Sequence, residues 1–376
     1  MRFEFATAAR IVFGPGTVRE APAAASEMGR RALLVTRQSA DFNRLGLAGV
    51  RFPIHGEPTV EMVRQGTAMA REQGCDLVIA LGGGSAIDAG KAIAAILGNG
   101  GDPLDYLEVV GKAKPLTRPS APFIAIPTTA GTGSEVTRNA VLASPEHRVK
   151  ASLRSPHMLP KLAVVDPELT LDLPPALTAS TGLDALTQLI EPYVSIRANP
   201  MTDLYCAEGM RLAASALRRA WRDGHDLAAR IDMALASLLG GLALANAGLG
   251  AVHGFAAPLG GMFDAPHGAL CAALLPHTMR VNIAALRSSP SHSERLLRYA
   301  GVARTLTGRA DATPGDGAAW VEGLCRDLEI LPLGAYGVSH ADVPAVAEKA
   351  ARASSMQANP IPLTRGQLEE LLARAI

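Results

Sequence analysis

Asp184 and Gln188 stand one helical turn apart in Thr181-Gly182-Leu183-Asp184-Ala185-Leu186-Thr187-Gln188, and two histidines, His253 and His267, follow far downstream. A carboxylate and two imidazoles are common ligands of a divalent metal. Three protein ligands are the usual number where one coordination position stays open for substrate. Each residue also has a plainer use: a buried helical Asp is often a cap or ion-pair partner, and a His beside Gly a loop filler. Gln188 offers a neutral amide oxygen, so it fits either as a weak fourth ligand or as a hydrogen bonder behind the ligands. His277, in Leu275-Pro276-His277, suits helix packing or a supporting role.

Two loops point to a second ligand. Leu81-Gly82-Gly83-Gly84-Ser85-Ala86-Ile87-Asp88-Ala89-Gly90-Lys91 follows an apolar run and opens a helical pattern. Three glycines let the backbone approach a ligand closely, and a helix start presents free N–H groups and a positive dipole end to a pyrophosphate. The spacing matches neither GxGxxG nor the P-loop. A purely structural account makes Ser85 the N-cap, with Asp88 returning a bond from the third position. The second loop, Pro127-Thr128-Thr129-Ala130-Gly131-Thr132-Gly133-Ser134-Glu135-Val136-Thr137, is dense in hydroxyls and follows another apolar run. In open α/β sheets ligands bind at the carboxyl edge of such strands.

The elements that must position these residues divide into two textures. Ala32–Thr36, Asp76–Leu81 and Pro122–Pro127 are apolar on both faces, as buried parallel strands are, and Thr59–Gln73 has the length of a crossover helix. This alternation predicts a parallel α/β sheet. After Leu173-Pro174-Pro175-Ala176 the pattern is Ala- and Leu-rich and helical, over about 177–197, 201–221, 225–248, 267–286, 292–307, 316–328, 341–352 and 366–375. The expectation is an α/β dinucleotide-binding domain over 1–175 and an all-helical metal and substrate domain over 176–376.

The bulk numbers narrow the class. With 36 basic against 35 acidic residues the net charge is +1, so no electrostatic case exists for nucleic acid. Apolar stretches are interrupted by Gly, Pro, His or charge short of the roughly 20 residues of a membrane span. Cys75, Cys206, Cys271 and Cys325 form no CxxC pair and read as thiols in a reducing compartment. Met1-Arg2-Phe3-Glu4-Phe5 lacks the apolar core of a signal peptide, and a cytoplasmic location is expected.

Together the motifs resemble the iron-containing (group III) alcohol dehydrogenase family. That family carries a GGGSxxDxxK loop, a PTTxGTGSE loop, a DA-containing metal helix and an HG…PHG pair. Here they are Gly82–Lys91, Pro127–Glu135, Asp184-Ala185, and His253-Gly254 with Pro266-His267-Gly268. Phe13-Gly14-Pro15-Gly16 and Asn359-Pro360-Ile361-Pro362 extend the resemblance over essentially the whole chain. It implies a Rossmann-like domain, a helical domain and an active site in the cleft between them, in the dehydroquinate synthase-like architecture. It implies NAD(P) with Gly83, Gly84, Ser85 and Asp88 at the pyrophosphate loop. Thr128, Thr129 and Thr132 would lie along the adenosine and ribose side, and Lys150 near the nicotinamide ribose. It implies Fe²⁺ or Zn²⁺ on Asp184, His253 and His267, a small alcohol or aldehyde as substrate, and a homodimer.

The chain departs from the family at Gln188, where a histidine ligand is usual, at Ala257, where a histidine is frequent, and at Ile361, where arginine is frequent. Ala257 weakens any scheme that relays the alcohol proton through a second imidazole. Arg37, directly after the first apolar run, cannot accept from ribose hydroxyls as an acidic residue does. It suits a 2′-phosphate, and so NADP(H), unless it is only a solvated surface arginine. The reading is therefore an NAD(P)-dependent, metal-dependent alcohol dehydrogenase or aldehyde reductase. A metal-independent reductase resembling maleylacetate reductase is the alternative, with Gln188 in its favour and the intact Asp184, His253 and His267 against it. A lyase of the dehydroquinate synthase type and a non-catalytic binding protein stand further off.

Overall fold

A computed structural model describes residues 2–37, 42, 45–147 and 149–376. The chain forms two compact units. One comprises residues 5–129 and 133–171; the other comprises residues 172–376, Ala130–Thr132 and a short piece of chain before residue 5.

In the first unit the strands are β1 (Ile11–Phe13), β2 (Ala32–Thr36), β3 (Gly49–Pro53), β4 (Leu77–Gly82), β5 (Phe123–Pro127), β6 (Asn139–Ser144), β7 (Val149–Arg154) and β8 (Leu162–Val165). The helices are α1 (Ala21–Met28), α2 (Val60–Glu72), α3 (Gly84–Asn99) and α4 (Pro103–Tyr106). Among the described residues six strands make one parallel sheet in the order β1-β8-β5-β4-β2-β3, and β6 and β7 pair as a separate antiparallel hairpin. The expected runs at 32–36, 76–81 and 122–127 are its three central strands. β1, β3, β8 and the hairpin, too short or too polar to stand out, were not expected.

Both faces of the sheet are dry, which explains why its central strands carry no polar side. Leu33, Val35, Val78, Ala80, Phe123 and Ala125 pack beneath α2 and α3. The alternate residues Leu34, Leu77, Ile79, Leu81, Ile124 and Ile126 pack against α1 and its neighbours. α2 is set by its cap, with the Met62 N–H donating to Thr59 Oγ1 at 3.1 Å. α3 lies tightly on the sheet because Gly90 has no side chain. A Cβ there would sit 2.8 Å from Ala80 Cβ and 2.9 Å from Phe123 Cε2.

The second unit contains α5 (Pro175–Val194), α6 (Pro200–Arg222), α7 (Leu227–Ala247), α8 (Ala251–Met262), α9 (His267–Arg287), α10 (Ser293–Thr307), α11 (Pro314–Asp327), α12 (Val343–Ala351) and α13 (Arg365–Ala375). α7 and α9 are long and apolar enough to cross a membrane, contrary to the expectation that no stretch would reach that length. Most of each helix is buried inside the fold, as core helices are. α8 was not anticipated either. It contains Gly254, Pro258, Gly260 and Gly261, all poor helix formers. Val252, Phe255, Ala256 and Leu259 are nonetheless completely buried, so tertiary packing overrides local propensity.

Candidate functional site

At the carboxyl edge of the sheet, three of the expected cofactor segments emerge side by side. Thr36 pairs with Leu81, and Gly82 with Pro127. Arg37 therefore follows its strand opposite Gly82, and Gly83 and Thr128 follow theirs one position further on. The chain turns outward to β3 after β2 and in the opposite direction after β4, so this edge is a topological switch point, where α/β sheets bind ligands. Thr36 Oγ1 donates to the Leu81 carbonyl at 2.8 Å and the Thr128 N–H to the Gly82 carbonyl at 3.0 Å, which locks the three turns together.

Gly82 adopts φ 158°, and a Cβ there would lie 2.6 Å from Ala86 Cβ. At Gly83 a Cβ would lie 3.3 Å from Thr129 Oγ1 and Cγ2, filling the space between the two loops. α3 begins at Gly84 with Gly83 as its N-cap, and no side chain caps it. This corrects the capping account. Ser85 lies inside the first turn, and Asp88 does not return to the helix start. An uncapped first turn leaves its N–H groups available to an anion.

Asp88 faces inward instead. It accepts from Ser134 Oγ at 2.6 Å and from the Val141 N–H at 2.9 Å, and Lys91 Nζ lies 3.8 Å away. Lys91, 1% exposed, donates to the Ser134 carbonyl, Thr137 Oγ1 and the Asn139 carbonyl at 2.7, 2.8 and 2.7 Å. Burial pushes the Lys91 ammonium down to about 8, partly offset by Asp88 and Glu135. Asp88 and Lys91 thus hold the Ser134–Asn139 segment in place. Lys150 lies on β7 with its ammonium 3.3 Å from Glu57. Thr132 does not group with Thr128 and Thr129. It belongs to the helical unit, where a Cβ on the adjacent Gly131 would lie 2.8 Å from Thr181 Cβ.

In the helical unit, Asp184 of α5, His253 of α8 and His267 of α9 converge, and they bring Cys271 with them. One ligand atom from each of the four lies within 4.8 Å of the others. His253 Nε2 is 3.4 Å and His267 Nε2 3.8 Å from Asp184 Oδ1. Cys271 Sγ is 3.8 Å from His253 Nε2 and 3.6 Å from His267 Nε2. Among the described residues Asp184 Oδ1 is buried and makes no hydrogen bond of good geometry, while the two imidazole nitrogens face it at ion-pair distance. A buried carboxylate needs a positive partner, which protonated imidazoles or a bound cation can supply.

The charges of these buried groups are coupled. Burial works against the charged form of Asp184, yet His267 and His253 outweigh it and hold the carboxyl below its usual range. Burial likewise disfavours charge on His253 and His267, but Cys271 and Asp184 raise both above the ordinary imidazole range. The His267 side chain is 34% exposed and the more screened of the two.

Two residues of this site were missed from the sequence. Cys271 follows His267 by four positions on α9 and so shares its face. Glu191 follows Asp184 by seven on α5. Its Oε2 is 2.7 Å from His253 Nδ1, and its Oε1 accepts the Val252 N–H at 2.7 Å. Gln188 is 3% exposed, one turn after Asp184, and its Oε1 has no hydrogen-bond partner. Ala257 lies one turn after His253 on α8.

Residues 8–167 match the family model described as iron-containing alcohol dehydrogenase, and residues 178–376 match that of the C-terminal part of Fe-containing alcohol dehydrogenases. A 1,3-propanediol dehydrogenase of Klebsiella pneumoniae is 38% identical over 361 residues, which is 92% of this chain and 90% of its own length. A crystal structure of a 1,3-propanediol oxidoreductase superposes with a TM-score of 0.90 at 34% identity, covering 100% of both chains. The maleylacetate reductase of Agrobacterium tumefaciens is similar at a TM-score of 0.79 and 28% identity, covering 100% of this chain and 98% of that one.

Proposed function

We propose, from the premise that this chain belongs to the iron-containing alcohol dehydrogenase family, that it transfers hydride between NADP(H) and a small alcohol–aldehyde pair at a divalent metal held by Asp184, His253 and His267. The chain is an oxidoreductase of the alcohol dehydrogenase class. One observation carries the metal assignment: four ligand atoms from three helices, a buried carboxylate oxygen among them, lie within 4.8 Å of one another. The ion supplies Lewis acidity, polarising the aldehyde carbonyl and stabilising the alkoxide.

The remaining work falls to the chain. Gly83, Gly84 and Ser85 present uncapped N–H groups to the pyrophosphate, and Thr128 and Thr129 flank them. Arg37, exposed at the end of β2, reaches a 2′-phosphate. Lys150 serves the nicotinamide ribose, exchanging its partner Glu57 for it. Glu191 fixes the tautomer and orientation of His253. The substrate class follows the relatives: short primary alcohols, diols included, with 3-hydroxypropanal the first aldehyde to try. Four thiols free of disulfides support a reducing cytoplasm, and a homodimer is the expected assembly.

The maleylacetate reductase-like alternative needs no metal. Gln188 favours it, while the assembled Asp184, His253 and His267 cluster argues against it. Initial rates of NADPH and NADH oxidation on metal-stripped protein, before and after adding Zn²⁺ or Fe²⁺, separate the two. Activity that returns only with metal supports the proposal. Equal activity with and without metal overturns it, and a clear preference for NADH removes the role given to Arg37.

A further inference from the structure

Resting on the metal reading above, we infer that the fourth protein ligand is the thiolate of Cys271. A tetrahedron with metal–ligand bonds of about 2.0–2.3 Å has edges of about 3.3–3.8 Å. The measured separations of Asp184 Oδ1 from the two imidazoles are 3.4 and 3.8 Å, and those of Cys271 Sγ from the same two nitrogens are 3.8 and 3.6 Å. With the two remaining separations within 4.8 Å, Cys271 stands where a fourth ligand would join the other three. It is fully buried, and its position one turn after His267 places both donors on one face of α9.

The chemistry agrees with the geometry. A thiolate and the Asp184 carboxylate together neutralise a divalent ion, which a glutamine amide cannot do. Loading exchanges the S–H bond for a sulfur–metal bond, the proton leaves to solvent, and nothing is oxidised. Asp, two His and one Cys form a borderline-soft donor set that suits Zn²⁺ better than Fe²⁺. The loss of an imidazole at position 188 of α5 is thus made good by a thiolate from α9. With four protein ligands a substrate oxygen would need a fifth position, which zinc tolerates.

The test is spectroscopic and independent of turnover. Metal-stripped wild-type protein is loaded with Zn²⁺ for zinc-edge X-ray absorption, and with Co²⁺ for optical spectra. The expected result is a sulfur shell at about 2.3 Å and a near-ultraviolet thiolate-to-cobalt band. Both should be absent in Cys271→Ser and unchanged in Gln188→Leu. Wild-type protein that binds zinc through nitrogen and oxygen alone overturns the Cys271 assignment and leaves the metal reading standing. Failure to bind either ion overturns the metal reading itself. A sulfur signal surviving in Cys271→Ser also overturns the assignment. Should Cys271→Ser not fold, zinc-edge anomalous diffraction from wild-type crystals locates or excludes the same contact.

Discussion

Glu191 holds His253 by side chain and backbone at once: Oε2 lies 2.7 Å from the imidazole Nδ1, and Oε1 accepts the N–H of the preceding residue, Val252, at 2.7 Å. The approach is possible because residue 250 is glycine. A Cβ there would stand 2.9 Å from Glu191 Oε1 and 3.0 Å from Asn359 Oδ1, which itself accepts the Ala251 N–H at 3.1 Å. The N-terminus of α8 is thus capped by side chains from distant parts of the chain, and one of them, a carboxylate favoured by the helix dipole, also aims the His253 imidazole.

Glu191→Gln keeps an acceptor for Val252 but removes the charge behind His253. Zinc affinity should fall about 10- to 100-fold while the fold survives. Competition with a chromophoric chelator measures the zinc Kd, and a Kd within twofold of wild type would show that the carboxylate does not tune the site.

Gly268 lies between His267 and the rest of α9, where a Cβ would sit 2.6 Å from the Ser180 carbonyl of α5. That contact is with backbone, so Gly268→Ala must shift the turn carrying both His267 and Cys271. Displacement on the ångström scale costs such a site an order of magnitude or more, and a zinc Kd raised at least about 10-fold is expected. Unaltered zinc binding with an unaltered melting temperature would mean the turn relaxes freely.

Lys91→Met leaves Asp88 buried without its counter-charge and withdraws donors from the Ser134 carbonyl, Thr137 and Asn139. Breaking a buried pair on one side costs about 3–5 kcal/mol. Thermal unfolding should show the loss, together with a raised KM for the nicotinamide cofactor, because the Ser134 segment continues the Thr128–Thr129 loop. A variant as stable as wild type would contradict the positioning role.

Glu135, 2% exposed, has its carboxyl pushed up to about 7 by burial. The folded chain keeps this proton to about pH 7, whereas the unfolded chain releases it near the ordinary glutamate value of 4.5. The associated stability is complete below pH 4.5, declines as pH rises through that window, and is gone above pH 7. Glu135→Gln, neutral throughout, should gain on wild type across the same window, by up to about 3 kcal/mol at its upper end. Parallel stability–pH curves for the two proteins would rule this out.

Much of the architecture was legible in local patterns. Runs such as Ala32–Thr36, apolar on both faces, can only be central strands of a doubly covered sheet. The glycines at 82–84 could be assigned to a close backbone approach, and Asp184, His253 and His267 to one cluster through the family's motifs. α8 was not legible, because Gly254 and Pro258 argue against a helix in any local reading, and only burial of Val252, Phe255 and Leu259 makes one.

The amino-acid sequence by itself determined the two textures, the glycine turns and the types of donor available, because periodicity and side-chain chemistry are local properties. Which donors share a site is a long-range property of helix packing. The same four-residue spacing that drew attention to Gln188 after Asp184 also joins Cys271 to His267, and nothing local ranks one above the other. Packing of α5, α8 and α9 brings the Cys271 sulfur within 3.6 and 3.8 Å of the two imidazoles while Glu191 holds one of them from behind.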